Sequence, residues 1–341
     1  MKNILLTFLL IFGLIQIGFS QSGELQKKKI SQQVIVSKYD ITLDKNTKEK
    51  AKPLIQMEIG KMPTIKAKIA NSNGYYDNYI HSPKNNKNYA SLLKAYELNS
   101  DVAEMYFEVA KYYESIDNKK EKKKICKKLK NSLLTKELKE YAYNTLMSVE
   151  KNGILITYGE DDTYPIWVLQ TLENTRTDVK VLNYDLLMND VYRAKKAKEF
   201  GLNLNTEYKS NIKILTDIAI KNPTKNIYYS LTVSHTVLGI LKKNLYSTGL
   251  ALKYSTSKIN NSEIIKTNWE NKFQKKYVIQ PKNASNLKKM NANYILPLVQ
   301  LAKYYKKNKQ EKELKILKEN LLKIGKNAKK EVLVKKIIAK I

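Results

Sequence analysis

The sequence predicts an α/β domain joined to all-α flanks, and three observations carry that prediction. Short β-prone runs alternate with helical segments between residues 151 and 257, the pattern of a small, largely parallel sheet. Apolar residues at three- and four-residue spacing precede that stretch over 86–150 and return after it over 258–341, the period of amphipathic helices. Hydrophobic residues make up 43% of the chain, enough to bury a core for both parts.

The first element is an export signal. Met1, Lys2 and Asn3 give a short positive start, and an apolar run follows from Ile4 to Phe19. Gly18 and Ser20 place small residues at the −3 and −1 positions of a cut before Gln21, which completes the three-part signal-peptide pattern. The run falls short of the ~20 residues that a permanent span needs. No Cys follows it to carry a lipid anchor. Residues 1–20 are therefore expected to be removed, leaving about 320 residues in the periplasm or secreted, with no transmembrane segment in the mature chain. Cys126 is the single cysteine, so no intramolecular disulfide framework exists even in a compartment that permits one.

Residues 21–85 read as an extended or poorly ordered arm. Their first part is Lys-rich, with one β-prone patch at Val34 to Leu43, and 61–85 read as loop because of Gly74, Pro83 and several Asn. Helical period begins near Tyr89. Leu92, Leu93, Tyr96 and Leu98 form one face, Asn99 to Asp101 a turn, and Ala103, Tyr106, Phe107, Ala110 and Tyr113 the next face. Two further helices are expected near 119–134 and 136–150. The first β-prone run is Gly153 to Tyr158, then a helix over 163–175, a second run from Val179 to Leu187, and helices near 190–200 and 206–221. Asn226 to Val233 and Tyr246 to Tyr254 are the third and fourth strand candidates. The tail returns to helices marked by Tyr294, Leu298 and Leu301, then by Leu314, Leu317 and Leu321, with a last amphipathic helix over 326–341. The paired helices with Ala and aromatic residues resemble tetratricopeptide hairpins, and the strand–helix alternation between them resembles a small Rossmann-like domain.

The formal charge of +30 invites a nucleic-acid reading, which residue usage argues against. Of 62 basic residues only Arg176 and Arg193 are arginine, whereas phosphate and base recognition favours the bidentate guanidinium. The lysines are spread along the chain, as solvated faces are. No nucleic-acid partner is expected.

The segment that could carry chemistry is Tyr158-Gly-Glu-Asp-Asp-Thr-Tyr-Pro-Ile-Trp-Val-Leu-Gln170. It lies at the carboxyl end of the first strand, the edge where ligands bind in open α/β sheets. Glu160, Asp161 and Asp162 could hold a cation, accept hydrogen bonds from sugar hydroxyls or pair with a basic peptide, with Trp167 offering an aromatic face one turn on. The same residues also suit a helix start, with Asp162 or Thr163 as N-cap and Pro165 in the first turn. Both readings stand at the level of sequence.

This segment, followed by Arg176-Thr-Asp-Val-Lys-Val-Leu-Asn183, Leu186-Leu187 and Tyr192, resembles the soluble, extracytoplasmic C-terminal region of the Bacteroidetes-type multi-pass protein O-mannosyltransferases. The resemblance resumes at Thr248-Gly-Leu-Ala-Leu252, at Asn293-Tyr294 and at Leu301-Ala-Lys-Tyr-Tyr305, covering about residues 150–310. Asp161 stands where that family has Asn, and Thr248 where it has Glu. The family's transfer chemistry belongs to a membrane half with no counterpart here, so the resemblance implies the appended module rather than the transferase. It adds Gly159, Thr163 and Asn183 to Glu160, Asp161, Asp162 and Trp167 as residues that bind a ligand or partner.

Other constellations are thin. His81 and His235 are the only histidines, and a Ser/His system lacks an identifiable acid and oxyanion site. No Cys/His cluster has zinc spacing and no Gly-rich phosphate loop occurs. No catalytic residue, metal ligand or cofactor is assigned. The sequence leads to an exported, non-catalytic binding or scaffold protein with a protein or peptide partner in the cell envelope and a glycan as a further candidate partner. The alternative is a soluble enzyme acting on glycans or glycoproteins through residues 160–162.

Overall fold

A computed structural model describes residues 67–83, 87–208, 210–281 and 288–341. The signal-peptide segment and the patch Val34 to Leu43 lie outside the described residues. The chain divides into two compact units, the first reaching His81 and taking in Asn88–Val102, the second comprising Ser82–Lys87 and Ala103–Ile341.

In the first unit residues 67–80 are helical (α1), followed by α2 (Tyr89–Leu98). The expected loop over 61–85 is thus corrected where it is described. Gly74 and the asparagines lower helix propensity, but propensity is a weak prior that packing overrides. Here Tyr79 is buried, 5.8 Å from the Tyr89 ring, and the buried Ser72 hydroxyl donates to the Ala95 carbonyl at 2.9 Å. Asn88 caps α2 by accepting from Ser91 N.

The second unit begins with a 3-10 turn (Ala103–Met105) and α3 (Tyr106–Ser115), α4 (Lys119–Ser132) and α5 (Lys136–Met147). Asn118 and Thr135 supply the N-caps of α4 and α5. The two faces read from the sequence as one hairpin around Asn99 to Asp101 therefore fall in different units.

The sheet follows: β1 (Ile154–Thr157), α6 (Glu160–Glu173), β2 (Lys180–Asn183), α7 (Tyr184–Leu187), α8 (Asp190–Phe200), α9 (Asn211–Ile220), β3 (Ile227–Ser230), α10 (His235–Leu241), β4 (Leu245–Ser247) and β5 (Ala251–Tyr254). Strand order is β2-β1-β3-β5-β4. β1 pairs in parallel with β2 and β3, whereas β5 pairs antiparallel with β3 and β4. The sheet is mixed, and the single strand expected over Tyr246 to Tyr254 is a hairpin. Its turn rests on Gly249, at φ 128°. A Cβ there would stand 2.6 Å from Ser148 Oγ and 2.7 Å from the Phe273 ring, so this residue is a close backbone approach as well as a turn. The second strand is shorter than its β-prone run because Asn183 accepts from Leu186 N at 3.2 Å and starts α7.

β1 lies inside the sheet between β2 and β3, with Ile154, Leu155 and Ile156 all buried, which is why it reads as an unbroken apolar run. The chain closes with α11 (Asn261–Thr267), a π turn (Asn268–Lys272), α12 (Lys276–Ile279), α13 (Lys288–Ala292), α14 (Ile295–Lys307), α15 (Glu311–Asn327) and α16 (Glu331–Ile338). Buried polar groups tie this helical end to α5. Asn144 donates to the Gln274 carbonyl at 2.7 Å and to Tyr294 Oη at 2.8 Å, and Glu140 accepts from Tyr277 N and Val278 N. Among the described residues no helix is long and apolar enough to cross a membrane.

Candidate functional site

The connections from β1 and β3 leave their strands in opposite directions, so their carboxyl ends flank the crevice where α/β sheets place ligands. Gly159, at φ 85°, makes the turn into α6, a conformation that side chains other than glycine rarely adopt. The helix starts at Glu160, three residues earlier than expected. Asp162 and Thr163 are therefore not its cap, and Pro165 sits inside the helix rather than in its first turn.

The three carboxylates separate by role. Asp162 is 4% exposed. Its Oδ2 accepts from Tyr158 N at 3.0 Å and from Thr232 Oγ1 at 2.8 Å, fastening the loop after β1 to the loop after β3. Its Oδ1 is buried with no hydrogen-bond partner. Desolvation raises its pKa, against the nearby Ser230 hydroxyl and the hydrogen bonds from Tyr158 N and Thr232, which lower it. Thr163 and Asn183 form a second buried set: Thr163 Oγ1 bonds Thr157 Oγ1 at 2.9 Å and the Gly159 carbonyl at 2.7 Å, and Asn183 Nδ2 donates to Thr163 Oγ1 at 3.0 Å. Together they lock the ends of β1 and β2 to the first turn of α6. Trp167 is 2% exposed. Its ring lies 5.9 Å from Phe107 with Lys122 Nζ 4.4 Å above it, so it packs against the preceding helices and offers no face at the sheet edge.

Glu160 and Asp161 remain at the surface. Nearby protein still desolvates them in part, and desolvation is the first cause that pushes Glu160 up to about 7. The carboxylates of Asp161, Glu108 and Glu104 push the same way, while the Lys111 ammonium opposes them. Desolvation also raises Asp161. Lys111 stands 2.9 Å from Glu108 and 3.4 Å from Asp185. Tyr158, 41% exposed, packs 4.8 Å from the half-buried Tyr184. The edge thus gathers carboxylates from α3, α6 and α7 around one ammonium, beside a tyrosine pair. It can accept hydrogen bonds or hold a cationic group against an aromatic surface.

Sequence reasoning missed Thr232, Lys111, Glu108, Asp185 and the Tyr158–Tyr184 pair. Ser230-Leu-Thr232 after the third strand was a visible hydroxyl cluster; the residues on α3 and α7 had no local signal. His235 opens α10 and burial lowers its pKa. Among the described residues no three His, Cys, Asp or Glu are grouped to hold a metal ion.

Arg176 and Asp178, part of the quoted motif, have structural work. The guanidinium donates to the Leu146, Val149 and Glu150 carbonyls and pairs with Asp178, closing the end of α5. Gln170 donates to the Arg176 and Val179 carbonyls.

No curated protein and no solved structure matches the chain. Residues 138–200, from α5 through α8, match the model of TMEM260-associated domain 2, a family tied to TMEM260, a protein O-mannosyltransferase.

Proposed function

We propose that this chain is an exported, non-catalytic binding or scaffold protein whose helical flanks, tetratricopeptide-like in pattern, present a Rossmann-like domain to a protein or peptide partner in the cell envelope. The observation that carries the reading is the acidic edge. In a chain of formal charge +30, Glu160, Asp161, Glu108 and Asp185 form a local patch of opposite sign beside Tyr158 and Tyr184. Such a surface suits a lysine- or arginine-bearing segment, whose charge pairs with carboxylates while its stem lies on aromatic rings. Repeat-like helices commonly make extended peptide-binding surfaces. The match over 138–200 supports a module that works beside glycosylation machinery on the outer side of a membrane, as the similarity to the extracytoplasmic region of Bacteroidetes-type protein O-mannosyltransferases implies.

The test is a titration with a fluorescent lysine-rich peptide, read by anisotropy. Glu160→Gln/Asp161→Asn should weaken binding about tenfold, the loss of one to two charge-assisted contacts. Equal binding by variant and wild type refutes the acidic edge as the site.

One observation favours a second reading, a soluble enzyme acting on glycans or glycoproteins. A carboxyl held up to about 7 can donate a proton near neutrality, which puts Glu160 ahead of Asp161 and Asp162 as the acid. Release of sugar from a glycoprotein by wild type, abolished in Glu160→Gln, would select this reading over the first.

A further inference from the structure

The lysines look evenly spread along the sequence, yet one helix concentrates them. α4 carries eight lysines and one glutamate in fourteen residues. Its buried side chains are Ile125, Cys126 and Leu129, which pack it against α3 and α6. At 3.6 residues per turn the exposed positions 119, 120, 123, 124, 127, 130 and 131 fall within one arc on the opposite side, Ser132 at the helix end being the exception. Lys124 and Lys130 pair with Glu121 and Glu173, and Lys122 lies inward with Glu114. Lys119, Lys120, Lys123 and Lys127 have no ion-pair partner among the described residues.

We propose that this face docks on an anionic lipid surface, with the four unpaired ammonium groups against lipid phosphates. The face is convex, being the outside of one helix, and it bears lysine and asparagine only. A convex row of hydrated point charges suits a sheet of phosphates, which needs no fixed geometry. A strand of nucleic acid would call for a groove, for arginine forks and for aromatic rings to stack bases. The arc of α4 has none of the three. Each such lysine gains about fivefold in partitioning near an anionic leaflet, so four amount to several hundredfold. The surface is separate from the acidic edge, and the inference does not depend on the partner proposed there.

The experiment is co-sedimentation of the full chain with phosphatidylcholine vesicles, with and without about 30% phosphatidylglycerol, at low salt and at ~0.5 M, where screening shortens charge interactions to a few ångströms. Lys119→Gln/Lys120→Gln/Lys123→Gln/Lys127→Gln is compared with an equal charge change elsewhere, Lys312→Gln/Lys315→Gln/Lys323→Gln/Lys326→Gln, at exposed positions of α15. Both variants keep residues 1–66, so any apolar N-terminal contribution is common to them. Wild type should bind the anionic vesicles far more tightly than the neutral ones and lose that excess in salt. The α4 variant should lose on the order of a hundredfold and the α15 variant less than tenfold. Matching thermal melts for both variants ensure that a loss is not unfolding. Equal losses in the two variants overturn the proposal, as does wild-type binding no stronger to anionic than to neutral vesicles. Salt-sensitive capture of an oligonucleotide or an anionic polysaccharide by this face, with vesicles left unbound, overturns it too.

Discussion

Asp162 offers the sharpest separation of structural from functional roles at the sheet edge. One buried oxygen accepts from Tyr158 N and Thr232 Oγ1 at 3.0 and 2.8 Å, and the other has no partner. Asp162→Ala removes the acceptor and strands the Tyr158 N–H, worth about 1–3 kcal/mol when left unpaired, while the Thr232 hydroxyl keeps Ser230 Oγ and the Tyr158 carbonyl as partners. Relief from burying a half-paired carboxylate offsets part of that. A net loss of roughly 1 kcal/mol is expected, a shift of roughly 0.3–0.5 M in the urea midpoint. Asp162→Asn keeps an acceptor for both donors and removes the charge, so it should match or exceed wild type at neutral pH. The sign of the pH dependence follows from the raised pKa. Asp162 contributes most to stability below its unfolded value near 3.8, and that contribution is lost as pH rises through the folded value. The advantage of the Asn variant should therefore shrink on acidification. Urea titrations from pH 7 down to about 4 follow both effects. An Asp162→Ala protein as stable as wild type would refute the fastening role and return Asp162 to the ligand-binding candidates.

Three further outcomes are expected. Glu160, raised to about 7, should titrate near neutrality in carboxyl NMR spectra, and a cationic peptide should bind more tightly as pH rises through that value; a midpoint in the ordinary carboxylate range would contradict the enclosed acidic edge. Gly249→Ala should destabilise by about 2–4 kcal/mol, since it combines a positive φ with clashes at Ser148 and Phe273, as read from urea unfolding. Arg176→Lys should cost about 2 kcal/mol in the same assay despite keeping the charge, because an ammonium cannot reach three carbonyls and the Asp178 carboxylate together.

Most helices were legible because their apolar period is long and regular. The expected 119–134 and 136–150 compare with Lys119–Ser132 and Lys136–Met147, and 190–200 with Asp190–Phe200. The misreadings have local causes. α1 was hidden by Gly74 and asparagine, whose propensity cost is outweighed by the burial of Tyr79 and Ser72. The β4–β5 hairpin was hidden because both strands are apolar and its turn, Thr248-Gly-Leu250, lacks the usual Asn-Gly or Asp-Gly signal.

By itself the sequence determined the alternation of strands and helices, the acidic segment at the end of the first strand, and the similarity of that segment to a TMEM260-associated domain, since periodicity and motif are properties of neighbours along the chain. Only the tertiary structure decided which of those residues face outward. The three adjacent carboxylates look alike in sequence, but one turn of helix sends Asp162 inward to Thr232 and leaves Glu160 and Asp161 at the surface, Glu160 near Glu108 and Lys111. Trp167 likewise turned to Phe107 and Lys122, while Tyr158 and Tyr184 met across two strand ends. The physical reason is that burial and charge pairing are set by groups distant in sequence. In the one place where the pattern was local, the lysine arc of α4, it still took the packing of Ile125, Cys126 and Leu129 to say which side of the helix faces solvent.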